Sequence, residues 1–561
     1  MTENTPTREV RSEYDGQTVR AKSVLSPEGF PVRALVKLYP KRIIPIIFIP
    51  GIMGTNLRVK DSKDHAWRPP NGKLAGLLQV IKYLGKNAKA RKKVLHPDRV
   101  VVDDEGPVAL TRKVESQLKG APDLDPEKLA RLFGWGELHK DSYGGILNTL
   151  QERLHDILTI DGTPDEAWKR LVFEQQSANQ FGAEKTFEEL TDSELKKFAN
   201  AAYPVHAVGY NWLQSNNVSV QRLVDKIDAI TSFYKETLKK DCDKVILITH
   251  SMGGLIARAC TQLQGQSDKV LGVLHGVMPA IGAPATYKRM RAGFEGVEQV
   301  LLGRNAAEAT AVLTQAPGPM ELLPTSEYRA KMPEGAAHWL RARYLGKDGD
   351  RSTAGFLGEG DPYQSIYPNY DDWWRLVKSE LIDPDKSKKS SNSESTLKTN
   401  DMRVDPDFSA YIDQLEVVRK FHESLKGQYH SNCFAYYAAD PKQPAWGEVC
   451  WKASLPIADY SRGELIEDDQ NGAVKVKFGD EICTLEIEGQ NLAGDGTVPE
   501  FSGQAPKPYV KQIFRHEGKA KGHVSYDHQG SYGNDFTAGL TLYAIAKLTL
   551  ASGILDNVSE E

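Results

Sequence analysis

The clearest chemical feature of the chain is a serine placed where its hydroxyl could act as a nucleophile. Lys244 to Arg258 reads K-V-I-L-I-T-H-S-M-G-G-L-I-A-R. Ser251 follows an apolar, β-branched run and precedes a helical pattern. That is the setting of a sharp strand-to-helix turn that exposes a serine Oγ at the end of a sheet. Strand and helix backbones pass close together at such a turn, so the flanking residues must be small. Gly253 and Gly254 meet this need on one side, and Thr249 stands where G-x-S-x-G has its first glycine. The helix start adds free N–H groups and a positive dipole end, and the Met252 N–H is a candidate oxyanion donor. A serine that merely caps a core helix is the plainer reading of the same residues.

A serine hydroxyl needs a base, and the base needs an acid to orient it. In α/β-hydrolases these follow the nucleophile in the order Ser, Asp/Glu, His. The base is expected between the last strand and the last helix, where R-H-E-G-K-A-K-G-H-V-S-Y-D-H-Q-G offers His516, His523 and His528. His528 is favoured, with His523 second. Asp495, between two glycines in N-L-A-G-D-G-T-V-P-E, is the favoured acid, although Asp-Gly is also a strong turn signal. Asp440, directly after C-F-A-Y-Y-A-A, is its rival. A second oxyanion donor is expected from the loop F-I-P-G-I-M-G-T-N-L, with Ile52 favoured and Met53 the alternative.

Six apolar runs could carry these residues: Ile43 to Ile49, Tyr203 to Tyr210, Lys244 to Ile248, Val270 to Val277, Cys433 to Ala438, and Tyr509 to Phe514. Their β-branched and aromatic enrichment, with Gly/Pro punctuation, favours strands. Helical spacing in Ser219 to Leu238 (Leu223, Ile227, Ile230, Phe233), in Met252 to Leu263 and in Phe536 to Leu550 alternates with them. The pattern predicts a mostly parallel sheet covered on both faces, that is, an α/β-hydrolase fold with large inserted cap or lid subdomains. The expected organisation is an N-terminal segment with the first strand (1–57), an insertion (58–200), a hydrolase core with the serine turn (201–290), a lid or cap insertion (291–430) with a polar linker at 383–401, and a C-terminal core part bearing acid and base (431–561).

Composition narrows the classes. With 40% hydrophobic and 26% charged residues the 561-residue chain is that of an ordinary globular protein, and its net charge of −4 gives nucleic acid no global attraction. No apolar run approaches the ~20 residues of a membrane span. The N-terminus has no apolar region of a secretory signal, which points to synthesis in a cytoplasm. Cys242, Cys260, Cys433, Cys450 and Cys483 are an odd, scattered set and not a disulfide framework. There is no C-x-x-C and no H-E-x-x-H, so neither a metal nor another cofactor is expected.

The motifs P-G-I-M-G-T-N-L, G-Y-N-W, T-H-S-M-G-G-L-I-A-R, P-G-P-M-E-L-L-P and G-D-G-T-V-P occur in the order found in lecithin:cholesterol-acyltransferase-like lipases. The set also resembles the phospholipase effectors of bacterial type VI secretion systems. That resemblance implies nucleophile status for Ser251, acid status for Asp495 and oxyanion status for Ile52 and Met252. It further implies a phospholipid substrate at a membrane surface, an immunity protein, a secretion spike or adaptor, and delivery into a target-cell periplasm. A lipid acyltransferase, a general esterase and a non-catalytic binding protein on the same scaffold are the competing readings.

Two surface clues are open at this level. Tyr363, Tyr367, Tyr370, Trp373 and Trp374 suit either a membrane-facing lid or the second insertion's own core. Lys82, Lys86, Lys89, Arg91, Lys92 and Lys93 suit either anionic headgroups or a solvated helix face.

Overall fold

The computed structural model describes residues 7–14, 19–21, 33–37, 40–69, 87–118, 125–295, 302–328, 339–346, 353–385 and 405–556. Six short segments form one parallel sheet: β1 (Ile46–Ile49), β2 (Val205–Ala207), β3 (Val245–His250), β4 (Val270–Gly276), β5 (Cys433–Ala438) and β6 (Gln512–His516). Their order is β2-β1-β3-β4-β5-β6, and every neighbouring pair is parallel. Each of the six expected runs supplies one strand, β6 ending at His516 instead of Phe514. Parallel strands need long crossovers that cover both faces, so they read as continuous apolar runs. Alternate side chains accordingly enter two cores. Ile47, Ile49, Leu247 and Val273 enter one, while Ile46, Phe48, Ile248 and Leu274 enter the other. This is an α/β-hydrolase fold.

Four helices position the site: α1 (Lys140–His155), α2 (Asn216–Ser232), α3 (Gly253–Arg258) and α4 (Asp535–Ala551). The Ser215 side chain caps α2 by accepting from the Asn217 N–H, and Val220, Leu223, Ile227 and Ile230 form its buried face. Phe233, expected on that face, is exposed where the helix passes into a π turn, Phe233–Thr237. The wider turn breaks the 3.6-residue spacing on which the expectation rested. Helix α4 is buried almost all round, because α1 and the Asp192–Phe198 helix pack on it from outside.

Residues 440–494 do not join the central sheet. Strands Val449–Ala453, Glu464–Asp468, Ala473–Phe478 and Glu481–Ile487 combine with Leu340–Tyr344 and Thr353–Phe356 into a second six-stranded sheet. Ala473–Phe478 alternates buried and exposed residues, as a strand with one wet face should. The aromatic cluster belongs to this region's interior: Tyr363, Tyr367, Trp373 and Trp374 are buried. Trp373 Nε1 donates to the Tyr460 carbonyl at 2.8 Å and the Tyr367 hydroxyl to the Pro324 carbonyl at 2.6 Å. Two members of the basic run also turn inward, while Lys89 and Lys93 are exposed. Arg91 is buried against Glu308 at 3.4 Å, and Lys92 Nζ donates to the Ile382 carbonyl at 2.7 Å. These contacts tie the Ala88–Val94 helix to the second insertion. Lys82, Lys86 and most of the 383–401 linker lie outside the described residues. Among those described, no helix is long and apolar enough to cross a membrane, and all five cysteines are buried and unpaired.

Burial pushes His206, His250, His275 and His516 each down to about 3, and His422 to about 4. The unfolded chain, with ordinary histidines near ~6.5, binds more protons than the folded one below that pH. This contribution to stability is therefore fully present above about pH 6.5 and is lost as pH falls towards 3. The thermal midpoint should drop steadily between pH 7 and 4.5. His275, whose two ring nitrogens have no partner among the described residues, offers the control. His275→Leu should flatten that slope, and an unchanged slope would show that these imidazoles do not govern the acid limb.

Candidate active site

The turn at Ser251 is sharp because two backbones meet there. Ser251 has φ +53°, a left-handed conformation that costs a non-glycine residue roughly 1–3 kcal/mol. Hydrogen bonds hold it: the Ser251 N–H donates to the Gly276 carbonyl and the Gly254 N–H to the Ser251 carbonyl, both at 2.9 Å. A Cβ at Gly253 would lie 2.5 Å from the Pro50 carbonyl oxygen and 2.7 Å from that of Ile49. Only glycine lets the start of α3 pass so close to the end of β1. Thr249, in the place of the other glycine, fits because its Oγ1 donates to the Leu274 carbonyl at 3.3 Å, while its own carbonyl accepts from the Tyr532 hydroxyl.

His528 Nε2 lies 2.8 Å from Ser251 Oγ, and His528 Nδ1 lies 2.7 Å from Asp495 Oδ2. A carboxylate can only accept, so Nδ1 carries the hydrogen and Nε2 offers its lone pair to the serine hydroxyl. The other carboxylate oxygen accepts from the N–H groups of Thr497 and Val498 at 3.0 and 2.7 Å, which fixes the orientation of Asp495. Ser251 and Asp495 are buried, and the His528 side chain is 14% exposed. The line therefore meets solvent only at the imidazole.

The alternatives stand elsewhere. His516 is buried at the end of β6 with Nδ1 2.6 Å from the Tyr526 hydroxyl. His523 Nδ1 accepts from the Glu517 N–H at 3.1 Å, and burial lowers its pKa. Neither bonds to Ser251. Asp440 accepts from Ser525 Oγ and the Lys442 N–H, not from a histidine. It still bears on the site, because Asp440 pairs with Gly494 where the excursion through the second sheet returns, Leu492–Gly494 lying antiparallel to Asp440–Ala445. The next residue is Asp495. Both acids thus sit at the carboxyl end of β5, and Asp440 anchors the loop that leads to His528.

Gly51 to Gly54 is a tight turn closed by Gly54 N–H to the Gly51 carbonyl at 3.1 Å. Met53 has φ +64°, and its carbonyl accepts from Trp67 Nε1 at 2.8 Å. Among the described residues the N–H groups of Ile52, Met53 and Met252 have no protein acceptor, which leaves them available to an oxyanion. No three His, Cys, Asp or Glu side chains converge as a metal-holding group among the described residues.

Two of the five motifs act from outside the Ser251–His528–Asp495 line. In G-Y-N-W the Tyr210 hydroxyl donates to the Pro50 carbonyl and the Tyr210 N–H to Thr55 Oγ1, both at 3.1 Å. In P-G-P-M-E-L-L-P, Glu321 accepts from Ser215 Oγ and the Asn216 N–H at 2.5 and 2.8 Å, closing the start of α2. Gly318 lies against the carbonyls of Trp212 and Gln214, where a Cβ would come to 2.4 Å of each oxygen. G-Y-N-W and P-G-P-M are therefore halves of one packing contact. Tyr143 and His250 beside the site were not singled out from the sequence. His250 sits inside the serine motif, but nothing in the residues around Tyr143 marks it.

Residues 206–313 match the family model of the PGAP1-like alpha/beta domain. The solved Tle4–Tli4 complex contains a chain 33% identical to this one, superposing with a TM-score of 0.74 over 91% of this chain and 99% of that one. Phospholipase PlaB from Legionella pneumophila aligns at 12% identity and a TM-score of 0.14 over 59% of this chain and 79% of that one, a likeness that carries no argument. No curated protein matches the chain. One residue in three is shared over nearly the full length of both chains, and the chain belongs to the Tle4 family.

Proposed function

We propose that this chain is a serine lipase that hydrolyses carboxylic ester bonds of glycerophospholipids through an acyl-enzyme. The observation that carries the reading is the unbroken hydrogen-bonded line from Asp495 through His528 to Ser251. His528 Nε2 takes the hydroxyl proton as Ser251 Oγ bonds to the ester carbonyl carbon. The N–H groups of Met252 and Ile52, or Met53 in its place, receive the oxyanion. Collapse breaks the ester bond, and the leaving alcohol, a lysophospholipid, takes the proton from the imidazolium. Water deprotonated by the same histidine then releases the fatty acid. Asp495 keeps the imidazole in the working tautomer and stabilises its charged form.

Substrate class and biological setting rest on likeness. The motifs resemble those of type VI phospholipase effectors, and Tle4 is solved together with Tli4. Both favour an antibacterial effector, carried by a secretion spike or adaptor into a target-cell periplasm, acting on membrane phospholipid and restrained by an immunity protein.

Mixed phospholipid vesicles, with released products identified by mass, test the chemistry. Ser251→Ala should lower turnover by on the order of 10⁶ with an unchanged thermal midpoint, and a fluorophosphonate should label the wild type at Ser251 alone. Fatty-acid release by Ser251→Ala at the wild-type rate would end the reading. Asp495→Asn keeps the shape but loses the charge that selects the tautomer, so kcat should fall by roughly 10⁴. Wild-type kcat in that variant would remove Asp495 from the mechanism.

A further inference from the structure

A second, largely buried line of hydrogen bonds runs beside the first, and the acyl-transfer steps do not use it. The Gly51 N–H donates to the Tyr143 hydroxyl at 3.1 Å. That hydroxyl is 2.9 Å from His250 Nδ1. His250 Nε2 is 2.9 Å from the main-chain carbonyl of His528.

The partners dictate the protons. A carbonyl only accepts, so His250 Nε2 carries the hydrogen. Burial holds this imidazole neutral, pushed down to about 3, so its Nδ1 has a lone pair and accepts from the Tyr143 O–H. The phenol oxygen is then free to accept from Gly51, with the Gln529 side chain as a further hydrogen-bonding neighbour. Every donor meets an acceptor in a single arrangement, and polar groups this deep would be costly if left unmatched.

The two ends of this line are the two parts that must be aligned. Gly51 opens the turn bearing Ile52 and Met53, and His528 is the proposed base. Space is tight between them: a Cβ on Gly51 would lie 2.8 Å from His250 Nδ1 and 2.9 Å from Ser251 Cβ. The Tyr143 and His250 rings meet at 5.6 Å between centroids, and those of His250 and His528 at 5.1 Å. Tyr143 comes from α1, outside the central sheet, so the first insertion reaches His250 through a phenol, beside the Trp67 and His139 donors that hold the Met53 and Gly54 carbonyls.

We infer that Tyr143 and His250 are positioning residues that hold the oxyanion loop and the general base in register, an inference that rests on the acyl-transfer reading of Ser251 and His528. An oxyanion donor acts only if it meets the charged oxygen at hydrogen-bond distance, while His528 must stay within reach of Ser251 Oγ. A displacement of about 1 Å costs on the order of 10²-fold. The relay is what ties the two loops to each other.

Tyr143→Phe removes one oxygen atom and leaves the ring. The rate of fluorophosphonate labelling should fall roughly 10- to 100-fold, while the final extent stays at one label per chain. On a soluble p-nitrophenyl ester kcat should fall by the same factor, with KM within about twofold. His250→Gln should behave alike, and the double variant should be no slower than the slower single one. A wild-type labelling rate in Tyr143→Phe would overturn the inference. So would a fall in labelling extent that accounts for the whole loss of activity, or effects of the two substitutions that multiply.

The wild-type protein supplies a measurement that does not depend on variant folding. With ¹⁵N-labelled histidine, one imidazole should show the Nε2–H tautomer and stay neutral down to about pH 4, and its signal should vanish in His250→Gln. The Nδ1–H tautomer at that residue would overturn the relay. Failure of the underlying acyl-transfer reading looks different: the wild type takes no label, or Ser251→Ala takes it, and the inference then falls too.

Discussion

The backbone of β1 and the start of α3 touch at Gly253, where no side chain fits between them. That contact, together with the left-handed φ of Ser251, brings the serine hydroxyl, the N–H of Met252 and the loop after β1 into one small volume. The strain at Ser251 persists because the strand, the helix start and the Gly276 carbonyl over-determine the turn. Had β1 and β3 not been neighbours in the sheet, the loop after β1 and the serine would have no reason to meet.

Asp495 and His528 arrive by longer routes. The chain leaves the central sheet after β5, builds most of a second sheet, and returns to pair Gly494 with Asp440. This excursion gives the end of β5 two carboxylates with separate tasks. Asp495 faces His528, and Asp440 secures the Ser525 segment ahead of it. Loop closure over such a length costs little more than over a short one. The large insert is thus compatible with a well-held acid, provided the returning strand is pinned where it re-enters.

The insertions contribute packing more than surface chemistry. The aromatic cluster fills the interior of the second insertion, with Tyr367, Trp373 and Trp374 bonded to main-chain carbonyls and the Tyr363 hydroxyl to His422 Nδ1. Of the described basic run, Arg91 meets Glu308, Lys92 a carbonyl and Lys89 an exposed Asp385, and Lys93 is exposed. The aromatic rings and Arg91, which could read as lipid-facing in one dimension, meet internal partners in three. The first insertion reaches Gly51 and His250 at Tyr143, where a scaffold helix outside the sheet becomes part of the candidate site's geometry.

Much of the fold and half of the site were legible in the residues. The six strands announced themselves because parallel strands are buried on both faces and so carry unbroken β-branched runs. Ser251 did so because its turn demands small neighbours in a short, local pattern. Local patterns favoured His528 and Asp495 but left His516, His523 and Asp440 in play, since each is a plausible loop residue until distances exist. The second sheet stayed hidden because its strands are short, half wet and drawn from segments far apart in the chain. The sequence by itself determined where the polypeptide must turn, which faces must be buried and which serine stands at the bend. Only the tertiary structure decided which imidazole and which carboxylate complete the line, and that Tyr143 and His250 run beside it, because hydrogen bonds between residues 33 to 278 positions apart leave no periodicity for a sequence to display.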